Sequence, residues 1–535
     1  MNSLERKPLL LNPSYSDSFD VCIFGSGLAG LSAAFYAADS NNSVALIYSS
    51  IKESSSIKAK GGIAVPIGKG DSVKKHIKDT LTAGKGLCNY LVVDSIIKKS
   101  IPQIKELIDL GLNFDEVNGR IHLGKEGGHS EERVLHIMGD ETGKGLTNFM
   151  VSLVKEKGIH LFPNTSLIDF EMNSVNSLNS GNSINALGAI VYSKKNHFEL
   201  IKAKSFVIAT GGHSSLYSNS TNSPEAIGNA SSAAFRAGIA LSDLEFVQFH
   251  PTTIPEKKSN FVVTESVRGE KALLVNSKGT RFMKFYSPLM ELATRDIISK
   301  AIYDEEFHGY KVFLDATKLG KKHIKERFPS FAEELKKLKI NPDKKLIPIT
   351  PSAHYCIGGI KTGINAETNA LNVFAAGEAS ASGLHGANRL ACNSLLEAIV
   401  MGRIAGENAA KQALKEKTGK IKYRNEKTKN KINNSKIKNF KSDYSNELTA
   451  LRKKMWERAS IIKSKKHLLN ARDFISRKEK EFEFAESINA VNYFSALQLS
   501  NLIVSSALKR KESRGVHQRI DYPAARKKWL IHQEI

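Results

Sequence analysis

Only four cysteines occur in 535 residues, Cys22, Cys88, Cys356 and Cys392, and no two stand in CxxC spacing. That excludes a cysteine-ligated iron–sulfur cluster and a disulfide framework, so the thiols read as reduced. No apolar run reaches the roughly 20 residues that a membrane helix needs. The N-terminal MNSLERKPLLLNPSYSDS has a short apolar patch but no signal-like cleavage site. A cytoplasmic protein without membrane contact is the expectation. A nucleic-acid motif is missing as well. Lysine dominates the net charge of +24, and much of it falls in residues 411–441, a stretch poor in aromatics that reads as a solvated linker. No nucleic-acid partner is expected, and positive charge elsewhere suits small dicarboxylates or nucleotide phosphates.

What the chain does have, at 41 % apolar and 25 % charged residues, is enough material for a large core in two or three domains. Its organising stretch is FDVCIFGSGLAGLSAAFYAA, residues 19–38. The apolar run 21–24 predicts a buried parallel strand, and an alanine-rich helix follows Gly25-x-Gly27-x-x-Gly30. Gly25 permits the tight turn, Gly27 lets the backbone approach a pyrophosphate, and Gly30 lets helix and strand pack. The free N–H groups at the helix start then meet the anion. A second strand over 44–48 runs into Tyr48-Ser49-Ser50, without the acid that grips an NAD ribose. NAD is therefore not read out directly, and the pattern favours a flavin or an unusual ribose contact.

Further along, SSSIKAKGGIA (54–64) reads as a loop pressed against a flat ligand, and helices are expected over 73–83 and 91–110. GKEGGHSEERVLH (124–136) taken alone reads as a solvated turn opening a helix around Val134, although Glu126 beside two glycines could accept from an ammonium group. A second strand ending in glycines, at Thr210-Gly211-Gly212, suits a sheet whose strand ends converge on one cofactor. His250 closes another apolar run, with Thr264, Glu265 and Arg268 soon after. Arg295 stands at a helix start, which is usually a surface position, and His354 precedes a Gly-Gly pair. Arg389 lies among small residues and needs an anionic partner. Beyond the lysine-rich linker, Leu448, Leu451, Met455 and Ile462, then Leu499, Leu502, Ile503 and Ala507, recur at helical spacing and predict an antiparallel helical pair.

The motifs GSGLAG, KGGIA, EGGHSEERVLH, ATGG, QFHPT, TESVRGE, TRFM, ELATRD, AHYCIGG, AAGE, HGANRLACNSLLEA and ESRGVHQRIDYP occur in this order. In this they resemble the flavoproteins that include L-aspartate oxidase and the flavoprotein subunits of succinate dehydrogenase and fumarate reductase. The resemblance spans nearly the whole chain. EGGHS-x-x-RVLH, AHY and the absence of histidine from the loop 54–61 draw it toward the L-aspartate oxidase branch, with FAD bound non-covalently. It implies an α/β Rossmann-like FAD-binding domain (1–242 and 347–414) and an inserted α+β capping domain (243–346). A lysine-rich linker (415–445) and a C-terminal helical domain (446–535) complete the division.

By the same resemblance, Gly25, Ser26, Gly27, Leu28, Ala29 and Gly30 serve the FAD pyrophosphate, and the run from Ser55 and Ser56 to Lys60, Gly61 and Gly62 passes the flavin. Asn229 and Glu378 face the cofactor, the latter at the ribose, and Ser394 and Leu395 lie near the isoalloxazine. Glu126, His250, Thr264, His354 and Arg389 become substrate residues, and Arg295 takes the catalytic position. Lys60, Asn229 and Cys392 depart from the family's usual glutamine, acid and serine. The implied reaction is oxidation of L-aspartate to iminosuccinate, with O2 or fumarate as electron acceptor. That is the first step of the quinolinate route to NAD, with quinolinate synthase consuming the product. A soluble fumarate reductase or succinate dehydrogenase flavoprotein subunit is the alternative.

Overall fold

The computed structural model describes residues 9–535 except 10, 12, 40, 41, 178–180, 194–196, 258 and 419–442. Most of the linker expected at 415–445 lies outside the described residues. Strand β1 (Ser14–Phe24) is the centre of a seven-stranded sheet. It runs parallel to β2 (Val44–Ile47) on one side and to the strand His197–Ile208 on the other, with Val21 opposite Val44 and Ser205. Val21, Cys22, Ile23 and Phe24 are all at most 1 % exposed, as expected of a parallel strand covered on both faces. The last strand of this group, Val373–Ala375, also pairs parallel with His197–Ile208. The carboxyl ends of these strands therefore point at one cleft.

Helix α1 (Leu28–Ala38) follows the glycine turn and is buried along nearly its whole length. Gly25 sits at φ +112°, and a Cβ on Gly30 would meet the Gly25 carbonyl oxygen at 1.8 Å. On its far side α1 packs against the long helix Asn393–Thr418. A Cβ on Gly402 or Gly406 would come within 2.5 Å and 2.2 Å of carbonyl oxygens of α1. Backbone-to-backbone packing fixes the helix whose N-terminus faces the cleft.

The capping region hangs from two crossing strands, Val247–Ile254 and Thr350–Cys356, which pair antiparallel. Between them lie a three-stranded sheet, the helices Arg295–Phe307, Lys321–Arg327 and Pro329–Lys337, and a separate core that includes Leu274, Phe282, Ile298, Leu314 and Phe331. The helix Arg295–Phe307 packs on Val247–Ile254, so Arg295 and His250 reach the same cavity.

Beyond the linker the structure has three helices among the described residues, Ser445–Ala459, Lys465–Glu481 and Ile488–Lys509, where the periodicity predicted two. The middle one buries only Leu468, Ala471 and Ile475, too thin a stripe to stand out among its lysines and arginines. Ile462 is not helical. It forms a short strand, Ile462–Lys463, paired with Gln518–Arg519. The chain end folds back onto the segment that carries Arg389, because the Val516 N–H donates to the Ala387 carbonyl at 3.0 Å. Arg510, fully buried, holds this closure through Glu245, Glu512 and the carbonyls of Trp529 and Ile531.

Candidate active site

A cavity of about 670 Å³ runs from the carboxyl ends of the parallel strands to the root of the capping region. It is lined by every predicted site residue except Leu28 and Gly30. Those two act from behind the wall: Gly30 through the close packing above, and Leu28 through its N–H, which donates to Ser56 Oγ at 3.0 Å. That bond ties the loop 54–62 to the helix start.

At the strand end of the cavity, Gly25, Ser26, Gly27 and Ala29 line the wall at the N-terminus of α1, with the Gly25 N–H held by the Ile47 carbonyl at 2.8 Å. Glu378 packs on Gly212, accepts from the Cys356 N–H at 2.9 Å, and is pushed up to about 7 by burial. Asn229 donates to Asn492 Oδ1 at 2.7 Å. Asn492, with Ile488 and Asn489, brings the C-terminal helical region into the cavity wall, which periodicity alone assigned to core packing. This set fits FAD: a glycine turn at a helix start for the pyrophosphate, a carboxyl for ribose hydroxyls, and an elongated volume in the range of cofactor sites. Lys60 lies toward the other end, its Nζ 5.6 Å from the Phe261 ring centroid.

That other end is cationic and largely buried. Arg389, 4 % exposed, donates from Nε to Gln248 Oε1 at 3.1 Å and from Nη1 to Ser394 Oγ, while its buried Nη2 has no protein partner among the described residues. The guanidinium lies 4.5 Å from the Tyr355 ring centroid. Burial, then the charge of Arg295, lowers its pKa to about 10, which still leaves it charged near neutrality. A buried cation with an unmatched donor calls for an anion, and a carboxylate has the matching shape.

Arg295, the first residue of its helix, ion-pairs through Nε with Glu265 and donates from Nη1 to Gln248 Oε1 at 3.2 Å. Gln248 thus accepts from both arginines, and its own Nε2 donates to Asn388 Oδ1 and the Arg389 carbonyl, each at 2.9 Å. Behind Arg295, Glu265 also faces Arg268 at 3.6 Å. Burial would raise Glu265, but Arg295 and Arg268 outweigh it and hold the carboxyl below its ordinary value.

His250 and His354 meet edge to face, 5.1 Å between centroids. The Thr252 N–H donates to His250 Nδ1 at 3.3 Å, which leaves the proton of the neutral ring on Nε2. His354 Nδ1 pairs with Thr221 Oγ1 at 2.9 Å. Burial first, then Arg295 and other neighbouring cationic side chains, holds both rings well below the usual imidazole value, so each is a neutral hydrogen-bonding group at pH 7. Thr264, 5 % exposed, completes this wall.

The solvated-turn reading of 124–136 is overturned. Glu126 is 5 % exposed, and Val134–Leu135 is a strand paired with Ile63–Ala64 rather than a helix start. Arg133 is fully buried on Asp71 and Asp79, at 2.8 Å and 2.5 Å. His129, in contact with Arg133, bonds through Nε2 to the Ala391 carbonyl at 3.0 Å. These partners are distant in sequence and bolt the loop beside Arg389. Glu126 Oε1 accepts from Ser266 Oγ at 2.6 Å. Burial, then Glu265, raises its carboxyl to about 7 against the pull of Ser266, Arg295 and Arg268.

The FAD binding domain family matches residues 20–395, and the fumarate reductase flavoprotein C-terminal family matches 448–535. The L-aspartate oxidase of Yersinia pestis is 36 % identical over 524 residues, covering 94 % of this chain and 96 % of the relative. The L-aspartate oxidase of Saccharolobus solfataricus is 34 % identical, with 94 % and 96 % covered. Among solved structures, a variant of E. coli quinol fumarate reductase FrdA superposes with a TM-score of 0.86 at 29 % identity, covering 98 % of this chain and 94 % of that one.

Proposed function

The chain belongs to the L-aspartate oxidase family of FAD-binding flavoproteins, and from that premise we propose that it oxidises L-aspartate to iminosuccinate. FAD, when bound, supplies the two-electron acceptor for the Cα–H bond and passes the electrons to O2, giving hydrogen peroxide, or to fumarate. We take it to be held non-covalently, because the loop 54–61 has no histidine for attachment. Gly25 to Ala29, Ser55, Ser56, Glu378 and Asn229 are the residues that would hold the nucleotide, with Lys60 to Gly62, Ser394 and Leu395 at the ring.

Arg389 takes one substrate carboxylate with its unmatched Nη2. Arg295, His250, His354 and Thr264 engage the other, so a four-carbon diacid is gripped at both ends and its Cα is held in one place. Glu126 accepts from the ammonium and takes the proton that the nitrogen gives up as the imine forms. It thereby distinguishes an amino diacid from succinate. Arg295, Glu265 and Arg268 form a chain of alternating charges that supplies a proton when fumarate is the acceptor. Exclusion of water strengthens each of these contacts.

One observation carries the reading: a buried arginine with an unmatched donor and a buried carboxyl with a near-neutral pKa line the same cavity. The test is peroxide release from the yellow protein given L-aspartate, D-aspartate, L-glutamate and succinate separately. Turnover is expected with L-aspartate alone. Faster oxidation of succinate would replace this reading with that of a succinate dehydrogenase or fumarate reductase flavoprotein. The reading also carries a cytoplasmic location, quinolinate synthase as consumer of the unstable product, the first step of NAD synthesis, and the domain division given above. Among the described residues no helix is long and apolar enough to cross a membrane.

A further inference from the structure

Glu126 enters the cavity from a loop, and Ser266 meets it from the short helix Glu265–Gly269. The Ser266 hydroxyl is the one side-chain group among the described residues that hydrogen-bonds to the Glu126 carboxyl, at 2.6 Å, and both side chains are buried. Other titratable groups face the same carboxyl. Glu265 and Arg268 come from the Ser266 helix, Arg295 from the capping helix, and the Cys392 thiol from the segment after Arg389. Arg295 is engaged on Glu265 and Gln248, while Arg268 donates from Nη1 to the Glu291 carbonyl and faces Glu265, its Nε and Nη2 having no hydrogen-bond partner among the described residues; neither arginine hydrogen-bonds to Glu126. They attract the carboxylate without fixing its direction.

We propose that Ser266 is a specificity-determining positioning residue: its hydroxyl occupies Glu126 Oε1 and so turns Oε2, with the negative charge, toward the substrate ammonium. The proposal rests on the reading of Glu126 given above. A hydroxyl donated to a buried carboxylate favours the ionised form and restricts rotation of the carboxyl group. Both effects matter only for a substrate that carries an ammonium. Burial lifts Glu126 into the working pH range, and the Ser266 bond opposes that rise. Without it, more of the enzyme at pH 7 presents a neutral acid, which is a poor acceptor for a cation.

The experiment uses flavin-loaded wild-type protein, Ser266→Ala, Ser266→Thr and Glu126→Gln. KM and kcat for L-aspartate are measured from pH 6 to 9, and succinate binding is read from the flavin absorbance. Ser266→Ala is expected to raise KM for L-aspartate about tenfold at pH 7 and to shift the acid limb of kcat/KM upward by about one unit, the tenfold equivalent. Succinate binding should stay unchanged, and Ser266→Thr, which keeps the hydroxyl, should restore the wild-type profile. An unshifted acid limb, or a loss of succinate affinity equal to the rise in KM, overturns the proposal. If Glu126→Gln weakens L-aspartate while Ser266→Ala does nothing, the Ser266 assignment alone fails. If Glu126→Gln leaves L-aspartate affinity intact, the reading of Glu126 fails and the proposal with it.

Discussion

The Arg389 guanidinium lies 4.5 Å from the centroid of the Tyr355 ring, with the ring itself fixed from behind. Tyr355 donates to Glu397 at 2.7 Å, and Glu397 also receives Ser382 and His385, at 2.5 Å and 2.9 Å. A cation–π contact in a desolvated site is worth about 2 kcal/mol. Tyr355→Leu should therefore raise KM for L-aspartate by about an order of magnitude. Tyr355→Phe, which keeps the ring and loses the hydroxyl, should raise it only a few-fold. Steady-state kinetics of the two variants side by side decides the matter, and equal effects would remove the ring from the account.

Gln248 Oε1 is shared by two guanidinium groups, at 3.1 Å from Arg389 and 3.2 Å from Arg295. It sets their spacing and offsets part of their mutual repulsion. Gln248→Met preserves volume but leaves two charged donors without this acceptor, and an unmatched buried donor costs about 1 to 3 kcal/mol. The expected outcome is a fall in kcat/KM of about a hundredfold, with a melting temperature lower by several degrees. An undiminished kcat/KM would show that other contacts hold the pair.

Much of the nucleotide-binding half was legible from residues 19–38, because strand, turn and helix there are consecutive and each glycine has a local reason. The capping root was less so. Gln248 matters through Asn388 and Arg389, 140 and 141 positions away, and Tyr355 through Glu397, 42 positions on, and the Arg389 guanidinium that lies over its ring. Glu126 shows the limit most clearly: glycine and charge around it suggest a solvated turn, and its burial depends on Arg133 reaching Asp71 and Asp79, 62 and 54 positions upstream. Neutralisation by distant acids leaves no local pattern. The helix Lys465–Glu481 failed for the opposite reason, since its buried stripe is only three residues wide.

Packing around α1 gives a cofactor-specific prediction. A Cβ at position 406 would stand 2.2 Å from the Ala33 carbonyl oxygen, and backbone cannot swing aside as a side-chain tip can. Gly406→Ala should displace α1 and weaken FAD affinity at least tenfold while the capping region keeps its own core. Gly30→Ala, with its clash at 1.8 Å, should abolish flavin uptake. Flavin fluorescence quenching on titration into apoprotein measures both. Wild-type affinity in Gly30→Ala would contradict the packing described here.

Stability should respond to pH in two opposed ways. Buried His76, His129, His136, His213, His250 and His517 are all held below the ordinary imidazole value, with burial the first cause. Below about pH 6.5 the unfolded chain binds protons that these native rings refuse, so stability is lost as pH falls through that value. Glu126, Glu306 and Glu378 are raised to about 7 by burial, so from about pH 4.5 to 7 the native protein keeps protons that the unfolded chain releases, and these three destabilise as pH rises. With His354 there are seven such rings against three carboxyls raised to about 7, and the melting temperature of the flavin-loaded protein should fall from pH 6.5 to 5. Glu126→Gln isolates one opposing contribution. At pH 8 it removes a buried charge whose raised pKa corresponds to about 3 kcal/mol, and it should melt a few degrees above wild type. At pH 4.5 the glutamate is already protonated, and the difference should vanish. A constant offset across the range would mean that the gain comes from packing rather than from charge, and that Glu126 ionises as an ordinary surface acid does.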